Sequence, residues 1–108
     1  MNDVIILAEV ADYLDELAYK LYLKGYFGFI ESAIEYVDKL TDDVHKNIHS
    51  KQKKLAPPRF RRYGYHYITY KPNRRTTWYI FFNFRDDRYL ISYITNNHVS
   101  AQHIRGLK

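Results

Sequence analysis

The chain has 108 residues, 46% of them hydrophobic and 27% charged, which predicts one globular domain over residues 1–108 and excludes two. It contains no cysteine, so disulfides, thiolate catalysis and cysteine-bound zinc are excluded. No apolar run approaches the roughly 20 residues that span a bilayer, and residues 4–8 lack the basic flank and the length of a signal peptide. We therefore expect a cytoplasmic protein that does not bind a membrane.

The net charge of +5 is divided unevenly between the two halves of the chain. Residues 1–50 carry four lysines against ten acidic residues, a net charge of −6, whereas residues 51–108 carry thirteen lysines and arginines against two aspartates, a net charge of +11. A basic half of this density is typical of proteins that bind a polyanion, either a nucleic acid or an acidic protein. The alternative is a basic surface that contacts only solvent.

The acidic half predicts a strand followed by two helices. Residues 3–8 contain a short continuous apolar run that suits a buried strand. Helical spacing of apolar residues then predicts an amphipathic helix from about residue 9 to a stop at Gly25, and a second from residue 30 to about residue 49. Because the loop between them is short, we expect an antiparallel helical hairpin.

Two histidines of the second predicted helix, His45 and His49, lie four residues apart and could share a helical face. No third ligand stands near them in sequence, so we expect a solvated pair and no metal site. The chain also has no glycine-rich phosphate loop. We therefore expect no cofactor.

Residues 50–62 form a connector that carries six positive charges and no negative one. Pro57 and Pro58 exclude a helix interior there and favour an extended path. Lysine and arginine side chains bind phosphate groups, and a guanidinium can do so through two hydrogen bonds. The candidate nucleic-acid ligands of the connector are Lys53, Lys54, Arg61 and Arg62.

The basic half predicts most of a sheet. Residues 63–70 form a strand candidate and residues 71–75 a loop. Two runs of aromatic and β-branched residues then flank Arg85-Asp-Asp-Arg88, which predicts a β-hairpin with a tight turn. With the first strand, these segments predict a small, mainly antiparallel four-stranded sheet on which the helical hairpin packs, an α+β fold in two layers. Residues 99–108 form a tail with a helical turn at residues 101–105.

The register of the hairpin decides which side chains share a face. With Asp86 and Asp87 at the centre of the turn, the expected partners are Arg85 with Arg88, Phe82 with Ile91, Ile80 with Tyr93 and Tyr79 with Ile94. The face toward the helices then contains Trp78, Ile80, Phe82, Phe84, Ile91 and Tyr93. The opposite face, expected to be open for binding, contains Tyr79, Phe81, Asn83, Ser92, Ile94 and Asn96, followed by His98. A slip of one residue would reverse the assignment.

Two segments of this hairpin, RRTTWYIFF at residues 74–82 and YLISYITNNH at residues 89–98, carry a family resemblance. The chain resembles the RelE/ParE superfamily of toxins from bacterial type II toxin–antitoxin systems. It does so in these segments, in its size, in the order of its elements and in its net positive charge. The resemblance covers nearly the whole chain and implies a RelE/ParE-like fold. It also implies a cognate antitoxin, expected to be small and acidic, whose segments wrap the toxin.

The resemblance implies one of two activities. RelE-like toxins enter the ribosomal decoding site and cleave mRNA by helping the ribose 2′-hydroxyl attack the adjacent phosphate. ParE-like toxins bind and poison DNA gyrase without hydrolytic chemistry. We favour mRNA cleavage, mainly because of His98. A third hypothesis is a non-catalytic RNA- or protein-binding module that uses the aromatic and basic sheet.

RNA cleavage of this kind needs a proton acceptor, a proton donor and positive charge at the phosphorane. His98 lies where ribonuclease members carry an arginine or histidine after the last strand, and it is the candidate acid or base. The alternative is that Asn96, Asn97 and His98 are simply the polar residues with which the last strand ends, without a catalytic role. Arg74 and Arg75 are expected to stabilise the phosphorane. His66 is a second choice for proton transfer, and Tyr79 is expected to stack on an exposed base.

The chain departs from the family pattern in two places. Tyr79 stands where many members carry an arginine after an aromatic residue. The pair of lysines that some ribonuclease members use on the preceding strand is not evident in residues 65–70. Both departures weigh against cleavage unless Arg74 or Arg75 compensates from the loop.

Overall fold

The computed structural model describes residues 3–98 and 104–107. In chain order the elements are β1 (Asp3–Ile6), α1 (Ala8–Leu23), α2 (Ile30–Asn47), β2 (Lys54–Leu55), a short 3-10 helix (Pro58–Phe60), β3 (His66–Tyr70), β4 (Trp78–Arg85) and β5 (Arg88–Asn96). The expected α+β class is confirmed, with two helices packed against a sheet. No helix within the described ranges has the length and apolar character needed to cross a bilayer.

The described strands form one mixed sheet in the order β1-β5-β4-β3-β2. β1 runs parallel to β5, and the other neighbouring pairs are antiparallel. Our expectation of four strands is wrong, because the described part of the chain has a fifth strand, β2, within the connector. Its two residues, Lys54 and Leu55, pair with Tyr67 and His66. A segment this short cannot show the alternating pattern that identifies a strand in a sequence.

The first helix, α1, ends in a motif that confirms Gly25 as its stop. Gly25 has a φ of 83°, a left-handed conformation that glycine adopts without steric cost. Its N–H donates to the Tyr22 carbonyl at 3.0 Å, and the Tyr26 N–H donates to the Leu21 carbonyl at 3.1 Å. These two hydrogen bonds define a Schellman motif. They fix the direction in which the chain leaves α1, and with it the position of Tyr26.

The main core lies between the two helices and one face of the sheet. The helices contribute Val10, Leu14, Leu17, Ala18, Ala33, Val37, Leu40 and Val44, and the strands contribute Ile68, Trp78, Ile80, Phe82, Tyr89, Ile91 and Ile94. The assignment of Trp78, Ile80, Phe82 and Ile91 to the helix-facing side is therefore confirmed. Phe84, which we expected on the same side, is 51% exposed near the tip of the hairpin.

The turn between β4 and β5 has Asp86 and Asp87 at its centre, as predicted. Arg85 pairs with Arg88 across it. Asp86 and Asp87 have φ values of 51° and 61°, and two successive left-handed residues are what a type I′ turn requires. Aspartate tolerates this conformation better than most residues that have a Cβ atom.

A β-bulge changes the register in the second half of β5. Phe82 pairs with Ile91, as predicted, but its neighbour Phe81 pairs with Tyr93. Ser92 is therefore an extra residue without a partner on β4. Beyond Ser92, each side chain of β5 lies on the face opposite to the predicted one.

The bulge corrects three of our face assignments. Ile94 belongs to the main core, whereas Tyr93 packs on the opposite face of the sheet. Asn96 pairs with Trp78 and lies on the side of the helices. The side chains of Asn96 and Tyr79 are therefore on different faces of the sheet.

A second, smaller core covers the face that we expected to be open. Its buried residues are Ala56, Phe60, Tyr67, Tyr79 and Phe81. The Phe60 ring stacks on Phe81 with centroids 5.3 Å apart, and the Tyr63 ring stacks on Tyr93 with centroids 3.9 Å apart. The Ser92 hydroxyl also donates to the Tyr63 carbonyl. The segment that follows β2 thus contacts both β4 and β5 across this face.

The helical turn that we predicted at residues 101–105 lies mostly outside the described residues. Where the description resumes, the Leu107 N–H donates to the Ile104 carbonyl at 3.1 Å, and both side chains pack against the second core. The Arg59 guanidinium donates to the Arg105 carbonyl. The described C-terminal residues therefore help to cover the second core.

Candidate functional site

A cleft of about 780 Å³ opens on the helix side of the sheet, and His98 lies on its border. Its walls are α1, the loop after it, α2, the loop between β3 and β4, and the ends of β3, β4 and β5. The lining side chains are Tyr13, Leu17, Lys20, Leu21, Lys24, Tyr26, Phe27, Tyr36, Lys39, Tyr70, Pro72, Asn73, Thr76, Trp78, Asn96 and His98. This set combines aromatic rings, cations and side-chain amides.

His98 is held at the cleft by two hydrogen bonds. Its Nε2 atom is 2.9 Å from the Thr76 hydroxyl, and its backbone N–H donates to Asn96 Oδ1 at 2.8 Å. Thr76 comes just before β4 and Asn96 ends β5, so the pairing of these strands brings together residues that are far apart in sequence. The ring is exposed, and no described residue makes a hydrogen bond to its Nδ1 atom. Nδ1 is thus available to a ligand.

Hydrogen bonds also hold the loop between β3 and β4 next to the segment that carries His98. Asn73 Oδ1 accepts the N–H groups of Arg75 and Thr76, at 2.9 and 3.0 Å. The Asn97 side chain donates to the Arg75 carbonyl at 2.8 Å and accepts the Thr77 N–H at 2.9 Å. These bonds hold the backbone of Arg75 against the segment that carries His98.

The side chains of Arg74 and Arg75 are free to bind a ligand. Both residues are exposed, and within residues 3–98 and 104–107 neither guanidinium has a hydrogen bond or an ion pair. The structure therefore brings the backbones of all three predicted catalytic residues, His98, Arg74 and Arg75, to one end of the sheet.

The floor of the cleft is an aromatic cluster around Trp78. The Trp78 indole N–H donates to the Tyr36 hydroxyl at 3.0 Å, and Trp78 is 2% exposed. The Phe27 ring packs on Tyr36 with centroids 5.4 Å apart. Because a buried indole N–H needs an acceptor, this hydrogen bond fixes the Tyr36 hydroxyl at the base of the cleft.

Two other phenols of the cleft have raised pKa values. Burial, followed by the charges of Tyr93 and Tyr36, raises the pKa of Tyr13. Burial also raises the pKa of Tyr70, with Asp43 and Tyr36 adding to the effect and Lys39 opposing it. Both hydroxyl groups therefore remain protonated at neutral pH and can donate a hydrogen bond.

Sequence reasoning missed the cations that the helices contribute to the cleft, Lys20, Lys24 and Lys39. Lys20 and Lys39 lie 3.4 and 3.2 Å from Glu16 and Glu35, in exposed pairs that stabilise the helices only weakly. Because residues 1–50 have a net negative charge, we expected binding cations only in the basic half of the chain. The signal was the spacing, because Lys20 lies in the last turn of α1 and Lys24, four residues later, is the C-cap of that helix.

The connector residues that we assigned to nucleic acid have structural contacts away from His98. Lys53 Nζ donates to the Ile48 and Lys51 carbonyls at 2.6 and 3.0 Å, where α2 ends. Lys54 Nζ lies 5.9 Å from the centre of the Tyr67 ring.

The two connector arginines also make hydrogen bonds to neighbouring residues. Arg61 Nε donates to the Ala56 carbonyl at 3.2 Å. Arg62 donates to the Tyr63 hydroxyl at 3.0 Å and stacks over that ring. Both arginines are exposed, and they lie beside the second core rather than at the cleft.

Neither Tyr79 nor His66 is brought to the cleft. Tyr79 is 6% exposed in the second core, where its ring meets Tyr67 edge-on at 6.1 Å and burial raises its pKa. The bulge at Ser92 explains why Tyr79 and His98 are not on one face. His66 stacks on Phe82, four residues along β4 from Trp78, which is about 13 Å.

Two further observations bear on the identity of the site. No group of three or more histidine, aspartate or glutamate side chains within the described residues could hold a metal ion. Comparisons with protein-family models, with curated proteins and with solved structures find no match to this chain. What the site can do therefore has to follow from the side chains of the cleft.

Proposed function

We propose that this chain is the toxin of a type II toxin–antitoxin system and acts as a ribosome-dependent mRNA endoribonuclease. The observation that carries the proposal is the position of His98, held by Thr76 at the border of a cleft lined with cations and aromatic rings. Exposed arginines lie in the adjoining loop. This combination suits a single-stranded RNA, whose unpaired bases stack on aromatic rings and whose phosphates attract cations.

A ribose 2′-hydroxyl loses its proton and attacks the adjacent phosphate, which becomes a 2′,3′-cyclic phosphate. The bond to the 5′-oxygen of the next nucleotide breaks, and that oxygen takes up a proton and leaves as a 5′-hydroxyl. His98 takes up or delivers a proton through Nδ1, while Thr76 sets the orientation of the imidazole through Nε2. Arg74 and Arg75 stabilise the negative charge that builds up on the phosphorane. The ribosome holds the mRNA in the geometry for attack, which accounts for the small number of catalytic groups on the chain.

The order of elements supports a RelE/ParE-like fold. A strand and two helices precede a run of antiparallel strands, as the resemblance implies. The cognate antitoxin is a small acidic protein that covers the unpaired arginines of the loop. Its carboxylates would then occupy the positions that mRNA phosphates take in the active toxin.

Induced expression without a partner tests the proposal. Wild type is compared with His98→Ala and with the double variant Arg74→Ala/Arg75→Ala while mRNA ends are mapped. His45→Ala is the matched control, because His45 is an exposed histidine of α2 outside the cleft. We expect cleavage at codons in wild type and in the control, and a decrease of about 100-fold or more in the His98 variant.

The same cultures distinguish the alternatives. Relaxed plasmid or gyrase-linked DNA breaks with intact mRNA would replace our proposal with a ParE-like gyrase poison. Normal growth with RNA binding and intact mRNA would leave a non-catalytic binding module. Cleavage that persists unchanged in His98→Ala would remove His98 from the mechanism.

A further inference from the structure

We propose that the cleft beside His98 binds one nucleoside monophosphate unit, with its base among the aromatic rings and its phosphate at Lys20 and Lys24, at the C-terminal end of α1. This inference rests on the proposed function, since it assigns a place for one nucleotide of the RNA. It involves side chains that the sequence did not identify. Four observations support it.

The first observation is an excess of hydrogen-bond donors at the cleft. The Tyr36 oxygen accepts from Trp78, which leaves the hydroxyl proton to be donated. Asn96 Oδ1 accepts the His98 N–H, and Asn73 Oδ1 accepts two backbone N–H groups, so both amides have their NH₂ groups available. With their acceptors used internally, these side chains favour a ligand rich in acceptors, as a phosphate is.

The second observation is the charge of the cleft. Lys20, Lys24 and Lys39 line it, and none of the lining residues that the structure describes is an aspartate or a glutamate. Lys24 has no ion-pair partner within the described part of the chain, whereas the other two pair only with exposed glutamates on their own helices. An anion entering the cleft therefore meets Lys24 without displacing a competing carboxylate.

The third observation is the arrangement of the rings. Tyr26 lines the cleft and is 67% exposed, so most of its ring has no packing partner. The Schellman motif fixes its backbone next to Lys24. A base that stacks on Tyr26 would gain contact on an exposed ring face, and such stacking does not require a particular base.

The fourth observation is the size of the cleft. Its volume of about 780 Å³ is within the range of roughly 300–1,000 Å³ that is usual for small-ligand sites. An inorganic phosphate would use the lysines and leave the rings in water, and an unphosphorylated nucleoside would use the rings and leave the cations unpaired. A ligand with both parts is the best match.

Trp78 allows the binding to be measured directly, because it is the only tryptophan of the chain and contacts Tyr36 at the base of the cleft. The full-length protein is titrated by calorimetry and by tryptophan fluorescence with AMP, GMP, CMP and UMP, and separately with inorganic phosphate and adenosine. We expect saturable binding of all four nucleotides with a change in Trp78 emission, and binding of phosphate or adenosine that is weaker by about tenfold or more.

Matched variants test the location. We expect Lys24→Ala and Tyr26→Ala each to weaken AMP binding by about tenfold. The controls are Lys46→Ala and Tyr19→Ala, which remove an exposed lysine of α2 and an exposed tyrosine of α1 outside the cleft and should bind AMP as wild type does. Thermal unfolding confirms that each variant is folded. Binding that is absent, or that Lys24→Ala and Tyr26→Ala leave unchanged, would overturn the inference.

A competition experiment distinguishes binding of a free nucleotide from binding of a nucleotide within RNA. We expect a short single-stranded oligoribonucleotide to compete with AMP for the cleft. Competition that fails would mean that the site takes free nucleotides only, against its role in RNA binding.

The inference and the proposed function can fail separately. Nucleotide binding that depends on Lys24, with mRNA left intact in cells, would uphold the site and refute the ribonuclease. Cleavage that depends on His98 but is unchanged in KM and kcat by Tyr26→Ala and Lys24→Ala would uphold the ribonuclease and refute the site.

Discussion

Gly64 is the residue whose replacement should disturb the fold most clearly. A Cβ atom at this position would lie 2.8 Å from the Phe82 nitrogen and 3.1 Å from the Phe82 oxygen. Because both are backbone atoms of β4, the contact cannot be relieved by a rotamer change. Only glycine allows the chain to pass this close to the sheet.

We expect Gly64→Ala to lower the free energy of unfolding by about 2 kcal/mol, measured by urea denaturation. Gly28→Ala is the matched control, because a Cβ atom there has no neighbour within 4 Å among the described residues. The control should change stability by less than about 0.5 kcal/mol. Equal effects of the two substitutions would contradict the close approach of residue 64 to β4.

Single residues also mark where sequence reasoning reached its limit. The turn at Asp86 and Asp87 could be predicted because its chemistry is local. The bulge at Ser92 could not, because the Ser92 hydroxyl is bound by the Tyr63 carbonyl, which comes from a segment distant in sequence. One unpaired residue was enough to move Asn96 to the cleft side while Tyr79 stayed on the other.

At the scale of elements, the β4–β5 hairpin carries strain in its turn. Asp86 and Asp87 both adopt the left-handed conformation, which is favourable for glycine and unfavourable for residues that have a Cβ atom. The carboxylates gain little in return, since both residues are exposed. The two aspartates therefore make the hairpin less stable than it would be with glycine in the turn.

We expect Asp87→Gly to raise the free energy of unfolding by about 0.5–1 kcal/mol, because a type I′ turn favours glycine at its second central position. The same substitution at Asp42, an exposed position in the interior of α2, should lower it by about 1 kcal/mol. Chemical denaturation of both variants measures the difference. A loss of stability in Asp87→Gly would argue against the type I′ geometry.

The elements differ in how well their sequences identify them. The spacing of Val10, Leu14 and Leu17 specifies one face of α1, and the glycine after it has a conformation that other residues avoid. By contrast, β2 depends on pairing with β3, and nothing local distinguishes Lys54 and Leu55 from the rest of the connector. Elements set by local periodicity were predicted, and those set by distant partners were not.

At the scale of the whole molecule, the sheet is covered on both faces, and tyrosines are buried on each side. Burial is the first cause of the raised pKa of Tyr13 and Tyr70 on the helix side and of Tyr79 and Tyr93 on the other. The neutral phenol is therefore favoured in the folded state. Below the unperturbed pKa of 10.0 the phenols are protonated in both the folded and the unfolded state, so their titration does not change the stability there.

Above pH 10 the unfolded chain loses these protons before the folded chain does, so the free energy of unfolding should fall as the pH rises. Urea unfolding at about pH 8 and about pH 10.5 measures the decrease. Tyr79→Phe removes one of these phenols and should make the decrease smaller. A decrease of the same size in the variant would contradict the contribution of Tyr79.

The second core also changes the location of the candidate binding surface. Our expectation from the sequence placed the binding surface on the face opposite the helices, which the segment after β2 covers. The cleft instead lies where the acidic helical half meets the basic half. There Lys24 and Tyr26 of the first half line the same cleft as Asn73 and His98 of the second.

The most direct test of the ribonuclease proposal is the chemistry of the RNA ends in a translation reaction with purified ribosomes and one defined mRNA. We predict a cut that leaves a 2′,3′-cyclic phosphate and a 5′-hydroxyl. A 2′-deoxy substitution at the cleaved nucleotide should abolish it, and His98→Ala should slow it by about 100-fold or more. An mRNA that stays intact on translating ribosomes, or cleavage at the deoxy position, would contradict 2′-hydroxyl attack assisted by His98.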